Sequence, residues 1–346
     1  MKKNLTAKIF VSLALILSIC AGGVFLSAPE AAAAKYSLKV GHESAPDSMQ
    51  DQFAKAFKEY VERESKGEIE VSVFPSDQIG DPFALLQGVQ SGVIELGIFN
   101  GGSIATVLKD YAIFSIPEIL PKEPAKNKKV FESDFVKTLV SNTEKTGVKY
   151  LGAYIEPFFQ VTANKIVKES ADFKGLKIRT MNSPIIIATY RALGANPTPI
   201  PFSEVYSGLQ TRLIDAQENP LDIIYEMSFY EVQKYLMLTN HSTVINFLCV
   251  NGKLFEGLSP ELRQVVTDGG HHAQNFMFDE VAAIERRGLD ALKATGKVEI
   301  IEGSPEVTEA YKKAAEDAKK EYFKSVGEAR GKELLDSLEA VVAKLD

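Results

Sequence analysis

Apolar side chains recur at helical spacing between residues 48 and 66, at Met49, Phe53, Ala56, Phe57, Tyr60 and Val61, and Gly67 closes the run. Strands are predicted on either side. Residues 37–41 read S-L-K-V-G, and residues 68–74 alternate strictly as E-I-E-V-S-V-F. Asp81-Pro82 opens a further helix that ends at Gly92, and residues 93–99 supply a third strand. Strand, helix, strand, helix, strand predicts a parallel sheet with covering helices.

The pattern breaks at 117–124, between two prolines. A helical stretch follows with Val130, Phe131, Phe135, Leu139 and Val140 on one face, and residues 148–155 return to strand. Residues 161–164 begin a second α/β unit. In it Leu176 and Ile178 alternate with Lys177 and Arg179 as a short strand, and Ser183-Pro184 starts a helix with an N-cap hydroxyl. Pro197, Pro199 and Pro201 make an extended, edge-like segment, Ser203 caps a helix through Thr211, and a strand over 213–217 leads into Glu218-Asn219-Pro220. Residues 242–250 are a strongly apolar strand. Ser259-Pro260 begins a long helical region, interrupted at Gly269-Gly270, and Ser304-Pro305 begins another that runs to the C-terminus. No repeat or low-complexity linker separates the halves, so two lobes joined by crossing strands are expected.

The N-terminus changes the compartment. Lys2, Lys3 and Lys8 precede an apolar run from 9 to 19, and Ala31 to Ala34 supply small residues for cleavage before Lys35, so residues 1–34 read as a signal peptide. The run is too short to be a membrane span. Cys20 follows Leu17-Ser18-Ile19, close to a lipoprotein signal, but Ile19 is bulky where that signal has a small residue. About 312 residues remain, enough for two domains. The chain is −7 overall and the leader carries a net +2, leaving about −9, which argues against nucleic acid or anionic lipid as partner. Cys249 is then the only cysteine left and lies in the apolar run V-I-N-F-L-C-V, so no internal disulfide forms and a core role is expected.

The stretch K-G-L-K-I-R-T-M-N-S-P (174–184) places Arg179 and Asn182 between the end of a strand and the start of a helix. In an open α/β sheet ligands bind there, and the free N–H groups of a helix start favour an anion. A planar guanidinium suits a carboxylate. A surface arginine paired with a neighbouring acid is the plain alternative. No G-x-S-x-G, Walker loop, dinucleotide-binding glycine motif, EF-hand or H-E-x-x-H occurs, and His271 and His272 are adjacent rather than one turn apart. No cofactor, metal site or catalytic residue is expected.

Six stretches carry a resemblance: F-P-S-D-Q-I-G-D (74–81), S-G-V-I-E-L-G (91–97), F-K-G-L-K-I-R (173–179), P-T-P-I-P-F-S-E-V-Y-S-G-L-Q-T (197–211), I-D-A-Q-E-N-P (214–220) and Y-E-V-Q-K-Y-L-M-L-T-N-H (230–241). In this order the chain resembles the solute receptors of tripartite ATP-independent periplasmic (TRAP) transporters, the group with the dicarboxylate and sialic-acid receptors. The resemblance implies an α/β fold, a two-lobed periplasmic-binding-protein clamshell with a long helix spanning both lobes. Lobe I would comprise 35–155 and about 242–290; lobe II would comprise 156–241 and about 291–346 with the C-terminal helices. It further implies a monomeric, non-enzymatic periplasmic receptor that delivers a small organic anion to the membrane subunits of a TRAP permease.

Carried over by position, Arg179 matches the arginine that pairs with the ligand carboxylate, Asn182 and Asn219 match polar pocket residues, and Phe202 matches an aromatic that packs on the ligand. Phe159 stands where sialic-acid-type receptors have a second arginine. Asn100 and Ser103 stand where some relatives have an acid and another arginine, while Glu43 and Glu156 add acids. Such a pocket loses cations and gains apolar surface. A second buried carboxylate on the ligand would lack a partner. The expected ligand is a monocarboxylate with an apolar or aromatic body, such as an amino or keto acid whose ammonium could meet Glu43 or Glu156. A solvated rim position is the alternative for each glutamate, and core packing for Phe158 and Phe159. A ligand-sensing receptor for a signalling kinase, or an exported hydrolase, are the other readings.

Overall fold

A computed structural model describes residues 34–345; the signal-peptide segment, Cys20 included, lies outside them. Phe53, Phe57 and Val61 sit one turn apart on the helix Met49–Glu64 and are fully buried, and Ser48 caps that helix by accepting from the Asp51 N–H. They cover a five-stranded sheet built from β1 (Tyr36–Gly41), β2 (Ile69–Phe74), β3 (Leu96–Asn100) and β4 (Val148–Ile155), with a strand that returns late from the chain. The order is β2, β1, β3, the late strand, β4; β1 pairs parallel with β2 and β3, and the late strand runs antiparallel to β3 and β4.

The second sheet has six strands. They are β5 (Gln160–Ala163), β6 (Lys177–Thr180), β7 (Asn196–Pro199), β8 (Ala216–Asn219), β9 (Tyr235–Leu238) and β11 (Glu299–Glu302), in the order β11, β9, β5, β8, β6, β7. The late strand of the first sheet is β10 (Ile245–Asn251). The chain therefore crosses between sheets at β4 to β5, again at β9 to β10, and a third time through the helix Pro260–Thr295. Strands 36–155 and 245–251 make one lobe, and strands 160–238 and 299–302 the other.

The 36-residue helix Pro260–Thr295 spans both lobes and is continuous through Gly269-Gly270, contrary to the interruption expected from the sequence. Two helical glycines cost about 1 kcal/mol each, and close packing offsets this. A Cβ on Gly270 would strike the Leu151 carbonyl oxygen of β4, so only glycine lets the helix lie on the first lobe there. Further along, a Cβ on Gly288 would lie 2.6 Å from the Asp222 nitrogen, in the short helix Leu221–Glu226 of the second lobe.

The C-terminal region also departs from expectation. Gly327, at φ 90°, splits it into Pro305–Val326 and Glu328–Val342. The second of these was assigned to lobe II, yet Leu334 and Leu338 enter the first-lobe core with Phe114 and Phe135. Arg330 holds it there, with Nε and Nη2 donating to Asp110 Oδ2 at 3.0 and 2.7 Å. Amphipathic spacing gives a buried face but not its partner. Strand β8 starts three residues later and ends two residues later than the segment expected from the sequence. Ser203 does not cap its helix, since a 3-10 turn over Phe202–Glu204 precedes Val205–Gln210. Cys249 is fully buried in β10.

Candidate functional site

Arg179 is the penultimate residue of β6, five residues before the helix Pro184–Ala192 begins. Its side chain is buried, 4% exposed, so the plain surface-arginine reading does not apply. Nε and Nη2 donate to the Ile200 carbonyl oxygen at 3.2 and 3.1 Å. Of the five guanidinium N–H groups, three are left without an acceptor, and among the described residues no carboxylate lies within salt-bridge distance. Burial pushes the guanidinium down to about 10, against the pull of Glu218 and Glu43. A buried cation lacking a counter-ion is costly, and Thr180 and Ser183, between the strand end and the helix start, carry buried hydroxyls with no partner. Ser183 occupies the N-cap backbone position, but its Oγ does not cap the helix.

Phe202 is 38% exposed, lies 5.8 Å from the Arg179 guanidinium carbon, and packs edge-on to Phe229. Asn219, at the end of β8, is buried, and its Nδ2 donates to Gln217 Oε1 at 2.5 Å. Gln217 in turn donates to Thr162, which donates to Gln233. This relay uses one amide N–H of Asn219 and leaves its Oδ1 free. Asn182 is exposed and makes no hydrogen bond.

The first lobe faces this group with acids. Glu43 is half-buried after β1, and Ser103 Oγ lies 3.1 Å from both of its oxygens. Burial pushes it up to about 7. Glu156, just past β4, is half-buried and pushed up to about 8, first by burial and then by the charges of Asp222 and Glu43. Its Oε1 accepts from Asn246 Nδ2 at 2.8 Å and from Asn100 Nδ2 at 3.3 Å. Both glutamates are half-buried rather than exposed. The walls meet where a Cβ on Gly102 would lie 2.8 Å from Met181 Sδ, two residues from Arg179.

Phe159 stands apart from this set. It is 1% exposed, packs edge-on to His241 at 6.5 Å, and donates its N–H to the Ser242 carbonyl; Phe158 belongs to the first-lobe core. Core packing describes both phenylalanines.

Several residues at the site escaped the sequence reading. Asn246 is a lone polar residue inside the apolar run of β10, a signal that was there to be used. Glu218 had no such signal. Its Oε2 takes the Tyr190 hydroxyl at 2.5 Å and His241 Nε2 at 2.7 Å, partners far along the chain, while Oε1 is buried without one. Tyr154 and Asp222 also carry buried, unpartnered oxygens, and burial raises Asp222 to about 6. A surface groove of about 590 Å³ beside Ser170 and Glu306 lies away from all of these.

Two α/β lobes joined by crossing strands and strapped by one long helix define a two-lobed solute-binding receptor. The chain belongs to the bacterial extracellular solute-binding proteins, family 7 (DctP), whose model matches residues 40–325. This is a family of binding proteins, not enzymes. The chain is 35% identical over 286 residues to the 2,3-diketo-L-gulonate-binding periplasmic protein YiaO of Escherichia coli K12, covering 82% of this chain and 85% of that one. It is 31% identical over 328 residues to the ectoine-binding periplasmic protein TeaA of Halomonas elongata, covering 94% and 95%. The high-resolution structure of the ectoine-binding protein of the TeaABC TRAP transporter superposes with a TM-score of 0.84 at 30% identity, over 89% of this chain and 99% of that one. A TRAP solute-binding protein from Desulfovibrio salexigens, solved with bound orotic acid, gives 0.84 at 27% identity, over 90% and 100%.

Proposed function

We propose that this protein is the periplasmic receptor of a TRAP transporter and that it binds a small organic acid through one carboxylate held by Arg179. The observation that carries this reading is the guanidinium itself, 4% exposed at the lobe junction with three N–H groups unused. A carboxylate would take two of them in charge-assisted bonds. The ligand's body would lie against Phe202 and be oriented by Asn182 and Asn219, while Glu43, Asn100 and Glu156 line the opposite wall. Contacts from both lobes favour the closed state by their differential affinity, and the closed form would be what the permease subunits receive, one monomer at a time.

The body is taken to be apolar or aromatic and the acid to be monobasic, an amino or keto acid in class. Arg179 has no second cation beside it, and the facing acids would repel another carboxylate. Relatives named for ectoine and solved with orotic acid fit one carboxylate on a compact ring. The test is a thermal-shift panel of small mono- and dicarboxylates on the protein without its leader, since a ligand of the native state raises the melting temperature. A monocarboxylate should give the largest shift. A dicarboxylate ranked above all monocarboxylates would refute the monobasic reading.

A further inference from the structure

We propose that Glu156 reads the pole of the ligand opposite its carboxylate, and that this pole is a protonated nitrogen bearing N–H groups. The inference rests on the carboxylate being held by Arg179. It narrows the ligand from organic acids in general to small zwitterions.

The direction of every hydrogen bond around Glu156 is set by the backbone. Ser44 N–H donates to Gln50 Oε1 at 3.2 Å, so Gln50 presents its amino group, which donates to Asn246 Oδ1 at 2.7 Å. Asn246 is thereby turned to donate to Glu156. Asn100 is fixed in the same way, because Gly102 and Ser103 N–H groups donate to its Oδ1 at 2.9 and 3.3 Å. Neither amide can rotate its oxygen toward the cleft without orphaning those donors. Both converge on Glu156 Oε1, and Oε2 is left without a protein partner. What this wall offers a ligand is Oε2, which becomes an acceptor when an arriving ammonium displaces to solvent the proton that burial keeps on the carboxyl, and which is held in place by two amides that have no alternative orientation.

Charge points the same way. Arg179 feels the charges of Glu218 and Glu43, Glu43 acts in turn on Glu156, and Asp222, whose charge also acts on Glu156, has a buried Oδ1 with no partner. Asp222 also lines a cavity of about 210 Å³ that Met49 and Gln52 of the first lobe share with Gly288 of the long helix. A ligand bearing only a carboxylate would add negative charge to this cleft. One that also carries an ammonium or amidinium adds none, and it supplies the donors that Oε2 lacks.

The test uses the chain without its leader and the proteinogenic amino acids, each matched with the 2-oxo acid of the same carbon skeleton, screened by thermal shift. The best pair is then titrated by calorimetry on wild type, Glu156→Gln and Arg179→Ala, with the ligand-free melting temperature of each variant checking that it folds. The amino member should bind at least tenfold more tightly than its oxo partner. Glu156→Gln, which keeps an oxygen for Asn246 and Asn100, should weaken the amino acid about thirtyfold or more while changing the oxo acid less than threefold. An oxo acid that binds as well as its amino partner, a panel in which no amino acid binds, or a Glu156→Gln effect equal on both members overturns the proposal. Failure of the anchor is separable. If the pair loses its amine preference but Arg179→Ala still abolishes binding, the carboxylate reading stands alone; if the preference holds and Arg179→Ala binds normally, only the anchor falls.

Discussion

Replacing Glu156 by glutamine should flatten the pH dependence of the ligand-free protein's stability. The Glu156 carboxyl keeps its proton up to about 8 in the folded chain against an ordinary 4.5. Between those values the folded state binds more protons than the unfolded one, so stability is fully present below about 4.5 and is lost as pH rises toward 8. At about 1.36 kcal/mol per pH unit the interval sets a ceiling of about 5 kcal/mol. Solvent reaches this half-buried side chain, and Glu43 and Asp222 titrate alongside it, so about 2 kcal/mol is expected between about pH 5 and about pH 8.5. Thermal unfolding of both proteins across that range is the assay. The wild type should lose about 4 °C more than Glu156→Gln. Parallel curves for the two proteins would refute the burial argument, because glutamine cannot titrate.

Three further substitutions test helix packing and two ion pairs. Gly270→Ala, which in an exposed helix would stabilise by about 1 kcal/mol, should instead cost about 3 kcal/mol in urea unfolding, because the methyl group meets the Leu151 carbonyl oxygen; a neutral result would show that the long helix can lift off β4. Arg330→Ala should cost about 2–3 kcal/mol by the same measurement, since it strips the mostly buried Asp110 of a two-bond partner. Lys137→Ala, in an exposed pair with Asp134, should leave the urea midpoint where it is.

The position of Arg179 was legible because local signals stack there: alternation in L-K-I-R marks the strand and Ser183-Pro184 marks the helix start. Its burial was not legible, because a charged residue at a strand end reads the same whether another lobe covers it or water does. The glycine pair at 269–270 misled for a related reason. Glycine breaks an isolated helix and permits a crowded one, and only the neighbour, here β4, decides which applies. Contacts that join distant segments left no trace in the pattern: Glu218 with His241, Arg330 with Asp110, Gln50 with Asn246. Asn246 is the exception, since a polar residue in the middle of I-N-F-L-C-V has to be satisfied by something.

The most direct measurement of the account is a calorimetric titration of wild type and Arg179→Ala with whichever organic acid most raises the wild-type melting temperature. Removing a buried guanidinium from a carboxylate should weaken binding by about 3 kcal/mol, about a hundredfold or more, with the ligand-free melting temperature unchanged or higher because an uncompensated buried charge is gone. An affinity in Arg179→Ala within threefold of wild type would contradict the claim that this side chain anchors the ligand.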